Sequence, residues 1–247
     1  MYHISVFAMQ LTVKRLGDSY KLIYKKFGRS AVWLDFECLE RAYKGTATDT
    51  KEDCNLARTK SAIRELALCN DWDWFVTLTL SADKQDRYDV DGYVHDLGVW
   101  IGNYNKKFNT KLKYLLIPEQ HKDGAWHMHG LFSGVSADSV AVNRFGYYAI
   151  PYYENRFGYI SMSKIRDTKK TAAYITKYVS KDLDTTAIGL CKHMFYHSRG
   201  LNRAEVIYET NVREMPIEVW QNDYVGIEFA DSDEALASLL SRLEELS

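Results

Sequence analysis

Hydrophobic positions along this 247-residue chain change period several times, and each change marks an element. Alternation of apolar and polar residues predicts short strands over residues 6–13, 20–25 and 31–36. A polar linker follows over 45–50. Leu56, Ile63, Leu66 and Ala67 then recur at helical spacing, which predicts a helix over 55–68 with Asp53 near its start as a cap. Residues 74–80 are aromatic or β-branched enough for a strand. Over 88–108, Tyr93, Leu97, Trp100, Ile101 and Tyr104 form one apolar stripe, the pattern of a helix packed on a sheet. Two further strands, 113–119 and 126–132, flank the turn signal Asp123-Gly124 and predict a hairpin. Beyond it the pattern predicts a short helix over 139–145, a strand over 158–165 and a helix over 168–182 with Thr168 as its N-cap. Strands over 194–197, 204–208 and 224–229 and a closing helix over 233–246 complete the series. Such an alternation predicts an α+β fold, a central antiparallel sheet with helices packed against it. Residues 1–50 read as a β-rich N-terminal extension and 51–247 as the main domain.

Composition narrows the class. An apolar share of 46% supports a sizeable core. No apolar run approaches the roughly 20 residues of a membrane span, and the start Met1-Tyr2-His3 lacks a basic flank, so neither membrane nor signal peptide is expected. Cys38, Cys54, Cys69 and Cys191 have no C-x-x-C spacing and read as reduced thiols of a cytoplasmic protein. A net charge of −1 argues against a protein that coats nucleic acid, but the distribution is uneven. Lys164, Arg166, Lys169, Lys170, Lys177, Lys181, Lys192, Arg199 and Arg203 face only Asp167, Asp182 and Asp184 in the same stretch, a surplus that attracts a phosphate backbone. A Walker-type phosphate loop is absent, which argues against a fused helicase.

Two stretches carry chemistry. In Trp126-His127-Met128-His129-Gly130 the imidazoles are two residues apart, so on a strand they project from one face. If the hairpin turns near Asp123 or Gly124, Glu119 pairs across the ladder with His127 or His129 and shares that face. One carboxylate and two imidazoles suit a divalent cation such as Mg²⁺ or Mn²⁺. Further on, Tyr174 and Tyr178 lie i, i+4 on one face of a helix, each beginning a Tyr-x-x-Lys element completed by Lys177 and Lys181. The competing reading of either stretch is plain packing: a half-buried histidine pair, and tyrosines and lysines of an amphipathic helix. His121, His193 and His197 read as surface or supporting residues, Trp126 as packing beneath the hairpin, and Asp184 as an additional ligand or orienting group.

The order of these motifs resembles that of the HUH endonucleases: the strand Phe75-Val76-Thr77-Leu78-Thr79-Leu80, then His127-Met128-His129, then Tyr174-x-x-x-Tyr178-x-x-Lys181. Within that superfamily the order is similar to rolling-circle replication initiators, and the tyrosine pair to the two-tyrosine initiators of small single-stranded DNA phages. The resemblance covers roughly residues 70–205. Glu119 stands where single-tyrosine viral members carry a third, carboxylate ligand. Relaxases differ, with a tyrosine near the N-terminus and a third histidine.

The resemblance implies an RRM/ferredoxin-like fold and a metal held by Glu119, His127 and His129. It further implies attack by Tyr174 or Tyr178 on a DNA phosphate, with Lys181 and Lys177 steadying charge. The product is a 5′-phosphotyrosine and a free 3′-OH able to prime replication. The implied partners are single-stranded origin DNA or an origin hairpin, with a bacterial host's helicase and polymerase. Which tyrosine acts first stays open. Two alternatives compete: a transposase with the same chemistry, and a non-catalytic RRM-like single-strand binder whose exposed aromatics stack bases. The second is weakened because no RNP-like run occurs.

Overall fold

A computed structural model describes residues 9–26, 49–179, 193–213, 220–221 and 225–245. In chain order the elements are β1 (Met9–Leu16), β2 (Ser19–Lys26), α1 (Asp49–Leu68), β3 (Trp74–Leu80), α2 (Val90–Phe108), β4 (Lys113–Gln120) and β5 (Trp126–Ser133). There follow β6 (Ala141–Val142), β7 (Tyr148–Ala149), α3 (Pro151–Arg156), β8 (Gly158–Lys164), α4 (Thr168–Ile175) and β9 (Tyr196–His197). The last are β10 (Glu205–Val212), β11 (Trp220–Gln221), β12 (Val225–Ala230) and α5 (Asp233–Glu245). Strand and helix segregate into two antiparallel sheets with associated helices, the expected α+β class. None of the described helices is long and apolar enough to cross a membrane.

The chain forms two compact units, residues 1–46 with 203–247, and residues 47–202. In the first, strands run in the order β10-β1-β2-β12-β11. Leu11, Val13, Leu22 and Tyr24 are fully buried there, and Leu239 and Leu243 of α5 join their cluster. This grouping differs from a boundary near residue 50 with everything later in one domain. Local periodicity finds β10 and β12 but does not reveal that their ladders are with β1 and β2 respectively. The expected strand over 31–36 lies outside the described residues.

The second unit carries the sheet β6-β7-β8-β3-β5-β4-β9. Its middle, β8-β3-β5-β4 with α2 after β3 and α3 before β8, has the βαββαβ connectivity and strand order of a ferredoxin-like fold. Strand alternation divides the sheet chemically. Val76, Leu78, Met128, Ile160 and Met162 are buried on one face. They join a core that includes the apolar stripe of α2. That stripe meets α3 through aromatic pairs: Trp100 stacks on Tyr152 at 5.7 Å, and the Tyr93 and Tyr153 hydroxyls lie 2.6 Å apart. The other face carries Phe75, Thr77 and Thr79 beside His127 and His129.

Gly130 explains why the histidine motif ends in glycine. It lies opposite Leu116 in β4. A Cβ there would overlap the Leu115 carbonyl oxygen and sit 3.1 Å from Leu116 Cα, so the backbone of β4 would have to move. Gly130→Ala should therefore destabilise the protein by about 1–3 kcal/mol, read as a lower midpoint in denaturant.

Three local expectations are corrected. The segment 139–145 is not a helix: a 3-10 turn at Ala137–Ser139 leads into a small hairpin, β6 and β7. The N-cap of α4 is Asp167, whose carboxylate accepts from the Lys170 amide at 2.9 Å, and not Thr168. Regular helix stops at Ile175, and Thr176–Tyr178 tighten into a 3-10 turn. The capping of the first long helix also moves, because α1 starts at Asp49, before Asp53.

Candidate functional site

The hairpin β4–β5 sets the site. Asp123 Oδ1 accepts from the Ala125 amide at 3.1 Å, and Gly124, at φ 87°, closes the turn as few other residues could. The resulting register pairs Glu119 with His127 and Ile117 with His129. Glu119, His127 and His129 consequently share one sheet face. Glu119 Oε2 accepts from His129 Nε2 at 2.8 Å.

The adjoining strand holds both imidazoles. Thr77 Oγ1 lies 3.1 Å from His129 Nδ1, and Thr79 Oγ1 lies 3.1 Å from His127 Nδ1. Sequence reasoning misses these threonines, although the Thr-Leu-Thr alternation inside a hydrophobic strand is an available signal. Each fixes one ring nitrogen and leaves Nε2 for other bonds. Burial pushes both histidines below the ordinary imidazole range, and for His129 the Glu119 carboxylate opposes that shift. Both rings are therefore neutral at pH 7, the form that binds metals. His121 covers His127, with ring centroids 3.7 Å apart and planes 9° from parallel.

The tyrosines approach the same face from α4. Tyr178 stacks on His129 with centroids 3.8 Å apart and planes 10° from parallel, and Tyr174 meets Phe75 edge-on at 5.6 Å. The Tyr178 hydroxyl donates to the Tyr174 hydroxyl at 3.0 Å. Burial, followed by that hydrogen bond, raises Tyr178 above the ordinary phenol range, so it holds its proton at neutral pH. Tyr174 is the more open ring, 45% exposed, with Lys177 Nζ 5.1 Å from its centroid. Lys181 and Asp184 lie outside the described residues. His197 is engaged through Nδ1 with the Ser198 carbonyl oxygen, and His193 packs edge-on against Tyr196 at 5.9 Å. Trp126 is buried, as its expected packing role requires.

An open cleft of about 730 Å³ borders the tyrosines, lined by Tyr174, Tyr178, Tyr147, Lys164, Arg166 and Lys170 among others. The carboxylate in its wall, Asp167, is engaged in capping α4 and lies 3.5 Å from Lys170 Nζ. The cleft thus presents positive charge beside two phenols.

Among the described residues, no three His, Cys, Asp or Glu side chains form a ready cage for a metal. Glu119 and His129 instead bond directly to each other. The donor set still fits a divalent cation chemically. One carboxylate and two neutral imidazoles converge on one face, and each imidazole has its second nitrogen braced by a hydroxyl, the support metal-bound histidines usually receive. If this is their purpose, Thr77→Val and Thr79→Val should each weaken Mn²⁺ binding by about 10- to 100-fold, measured by calorimetry, while preserving strand shape and fold.

Comparison with known proteins agrees with the process. Residues 73–183, the stretch from β3 through α4, match the sequence model of a family described as replication-associated protein, ORF2 type. The match supports a replication initiator and, with it, DNA as the partner. Searches of curated proteins and of solved structures each returned no match.

Proposed function

We propose that this protein is a rolling-circle replication initiator of the HUH endonuclease type, which nicks and rejoins single-stranded origin DNA through a 5′-phosphotyrosine. The observation that carries the reading is the stacking of Tyr178 on His129, which puts a tyrosine pair and a carboxylate–imidazole set on one sheet face beside a basic cleft. Plain packing of a tyrosine helix does not call for three polar, potential ligand residues beneath it.

Glu119, His127 and His129 would hold Mg²⁺ or Mn²⁺. When bound, such a cation offsets the charge that builds on the phosphate oxygens. The rest of the reaction belongs to the chain's own groups. Lys164, Arg166 and Lys170 draw in the strand and hold its backbone. One phenol oxygen attacks phosphorus, a Tyr–O–P bond forms, and the P–O3′ bond breaks. The phenolic proton finishes on the departing 3′ oxygen, leaving a free 3′-OH. No phosphodiester energy is lost to water, so the 3′-OH can attack in reverse and rejoin the strand. Lys177, and Lys181 in the same sequence element, steady phenolate charge.

The deciding experiment incubates the protein with single-stranded origin candidates and Mn²⁺ and looks for an SDS-stable protein–DNA adduct. An adduct that requires Mn²⁺ or Mg²⁺, and binding that weakens as salt rises because counterions are released, are the expected results. Tight salt-independent binding to intact duplex, with no adduct on any strand, would sink the reading.

A further inference from the structure

The hairpin formed by β6 and β7 is unexplained by folding alone. Its tip exposes two large aromatics, Phe145 at 60% and Tyr147 at 55%, with Val142 also open. Exposed rings clustered on one turn usually mark a contact surface. The turn presents them rigidly. Asn143 Oδ1 accepts from the amides of Phe145 and Tyr147 at 3.0 and 3.1 Å. The Gly146 amide donates to the Asn143 carbonyl oxygen at 2.9 Å, and Gly146 takes φ 83°.

Register decides which face the rings serve. Tyr148 pairs with Met162 of β8 and meets Trp74 edge-on at 5.2 Å, so it belongs to the buried face. Alternation sends Tyr147 to the opposite face, that of the histidines and tyrosines. Tyr147 indeed lines the same cleft as Tyr174 and Tyr178. Phe145 lies edge-on to Tyr159 at 6.3 Å, and the Arg144 guanidinium sits 4.7 Å from the Phe145 ring centroid. A row of open rings thereby continues from the phenols, with Lys164, Arg166 and Lys170 in the wall between.

We propose that the hairpin over residues 141–149 is a base-stacking clamp for single-stranded DNA. Tyr147 and Phe145 stack on unpaired bases of the strand whose phosphate lies at Tyr174 and Tyr178, and the cleft cations hold the backbone joining them. The proposal rests on the initiator reading and deepens it by saying how the strand is gripped. Unpaired bases fit because every base offers a π face and a flanking phosphate, and the hairpin offers rings beside cations. A base-paired duplex would keep its faces stacked inside and give the rings nothing to cover.

The test uses the full chain and a fluorescent single-stranded oligonucleotide in EDTA, so that binding is read without cleavage. Phe145→Ala/Tyr147→Ala should weaken binding by about 10- to 100-fold. Its salt dependence should stay the same, because no phosphate contact is removed. Lys164→Ala/Lys170→Ala should instead flatten the salt dependence. Tyr147→Trp should retain affinity, and its extra emission over wild type should be quenched by the oligonucleotide, a direct sign of stacking that a folding role would not produce. Unchanged affinity in the double alanine variant, while wild type still forms its adduct, overturns the clamp and leaves the initiator reading standing. If wild type neither binds single strands nor forms an adduct, the initiator reading fails and the clamp with it. Unchanged DNA binding with a shift in sedimentation would assign the hairpin to a second copy of the chain and also overturn the proposal.

Discussion

His127→Ala and His129→Ala should each lower adduct formation by roughly 10³-fold or more, the rate equivalent of about 4 kcal/mol at the transition state. EDTA should do the same to the wild-type protein, and Mn²⁺ or Mg²⁺ should restore it. The loss should be chemical and not structural. Both side chains are partly exposed on a sheet face whose hydrophobic packing lies on the other side, with Met128 between them fully buried. The midpoint of unfolding should accordingly move little in either variant. His129→Ala has a second consequence, because Tyr178 loses the ring on which it stacks and Glu119 loses its hydrogen-bond partner. His127→Ala is the cleaner probe for that reason, since it leaves the tyrosine contacts intact. Full cleavage by the His127→Ala/His129→Ala double variant would remove the site from consideration.

Much of the frame was legible because the signals were local. The apolar stripe of α2 from Tyr93 to Tyr104 and the alternating run of β3 are set by neighbours a few residues apart. The hairpin register was legible too, since a turn at Asp123-Gly124 leaves few ways to close, and each puts Glu119 on the histidine face. What escaped was set by partners distant in sequence or by side-chain bonds to backbone. The 139–145 segment has apolar residues at Val140 and Val142. Asn143 bonds two later amides, and that turn outcompetes helix. The threonine brace on the histidines needed the β3–β5 register, which no local pattern reveals. The pairing of β10 and β12 with the N-terminal strands is likewise a matter of long-range contact.

The shortening of α4 bears directly on which tyrosine acts. A continuous helix through residue 182 would treat Tyr174 and Tyr178 as equivalent positions one turn apart. The structure makes them unequal. Tyr178 lies in the tightened 3-10 turn, half-buried against His129, and gives its hydroxyl proton to the bond with Tyr174. Tyr174 is open to the cleft, accepts that hydrogen bond and has Lys177 beside its ring. A donated hydrogen bond and a nearby cation both favour negative charge on an attacking oxygen, so Tyr174 is the better-prepared nucleophile for the first cut. Tyr174→Phe should reduce single-turnover cleavage more than Tyr178→Phe, and each should leave a measurable residue because the other phenol can substitute. The double variant should fall by roughly 10⁴-fold or more, as when a nucleophile is removed outright. Phenylalanine keeps the stacking on His129 and Phe75 and deletes only the hydroxyl, so these losses report chemistry. Sustained replication should need both tyrosines, one holding the first strand end while the other cuts the regenerated origin. Mass spectrometry of the DNA-linked peptide decides between the two residues. An adduct found solely on Tyr178, with normal replication by Tyr174→Phe, would make this a one-tyrosine enzyme and reduce Tyr174 to a packing neighbour.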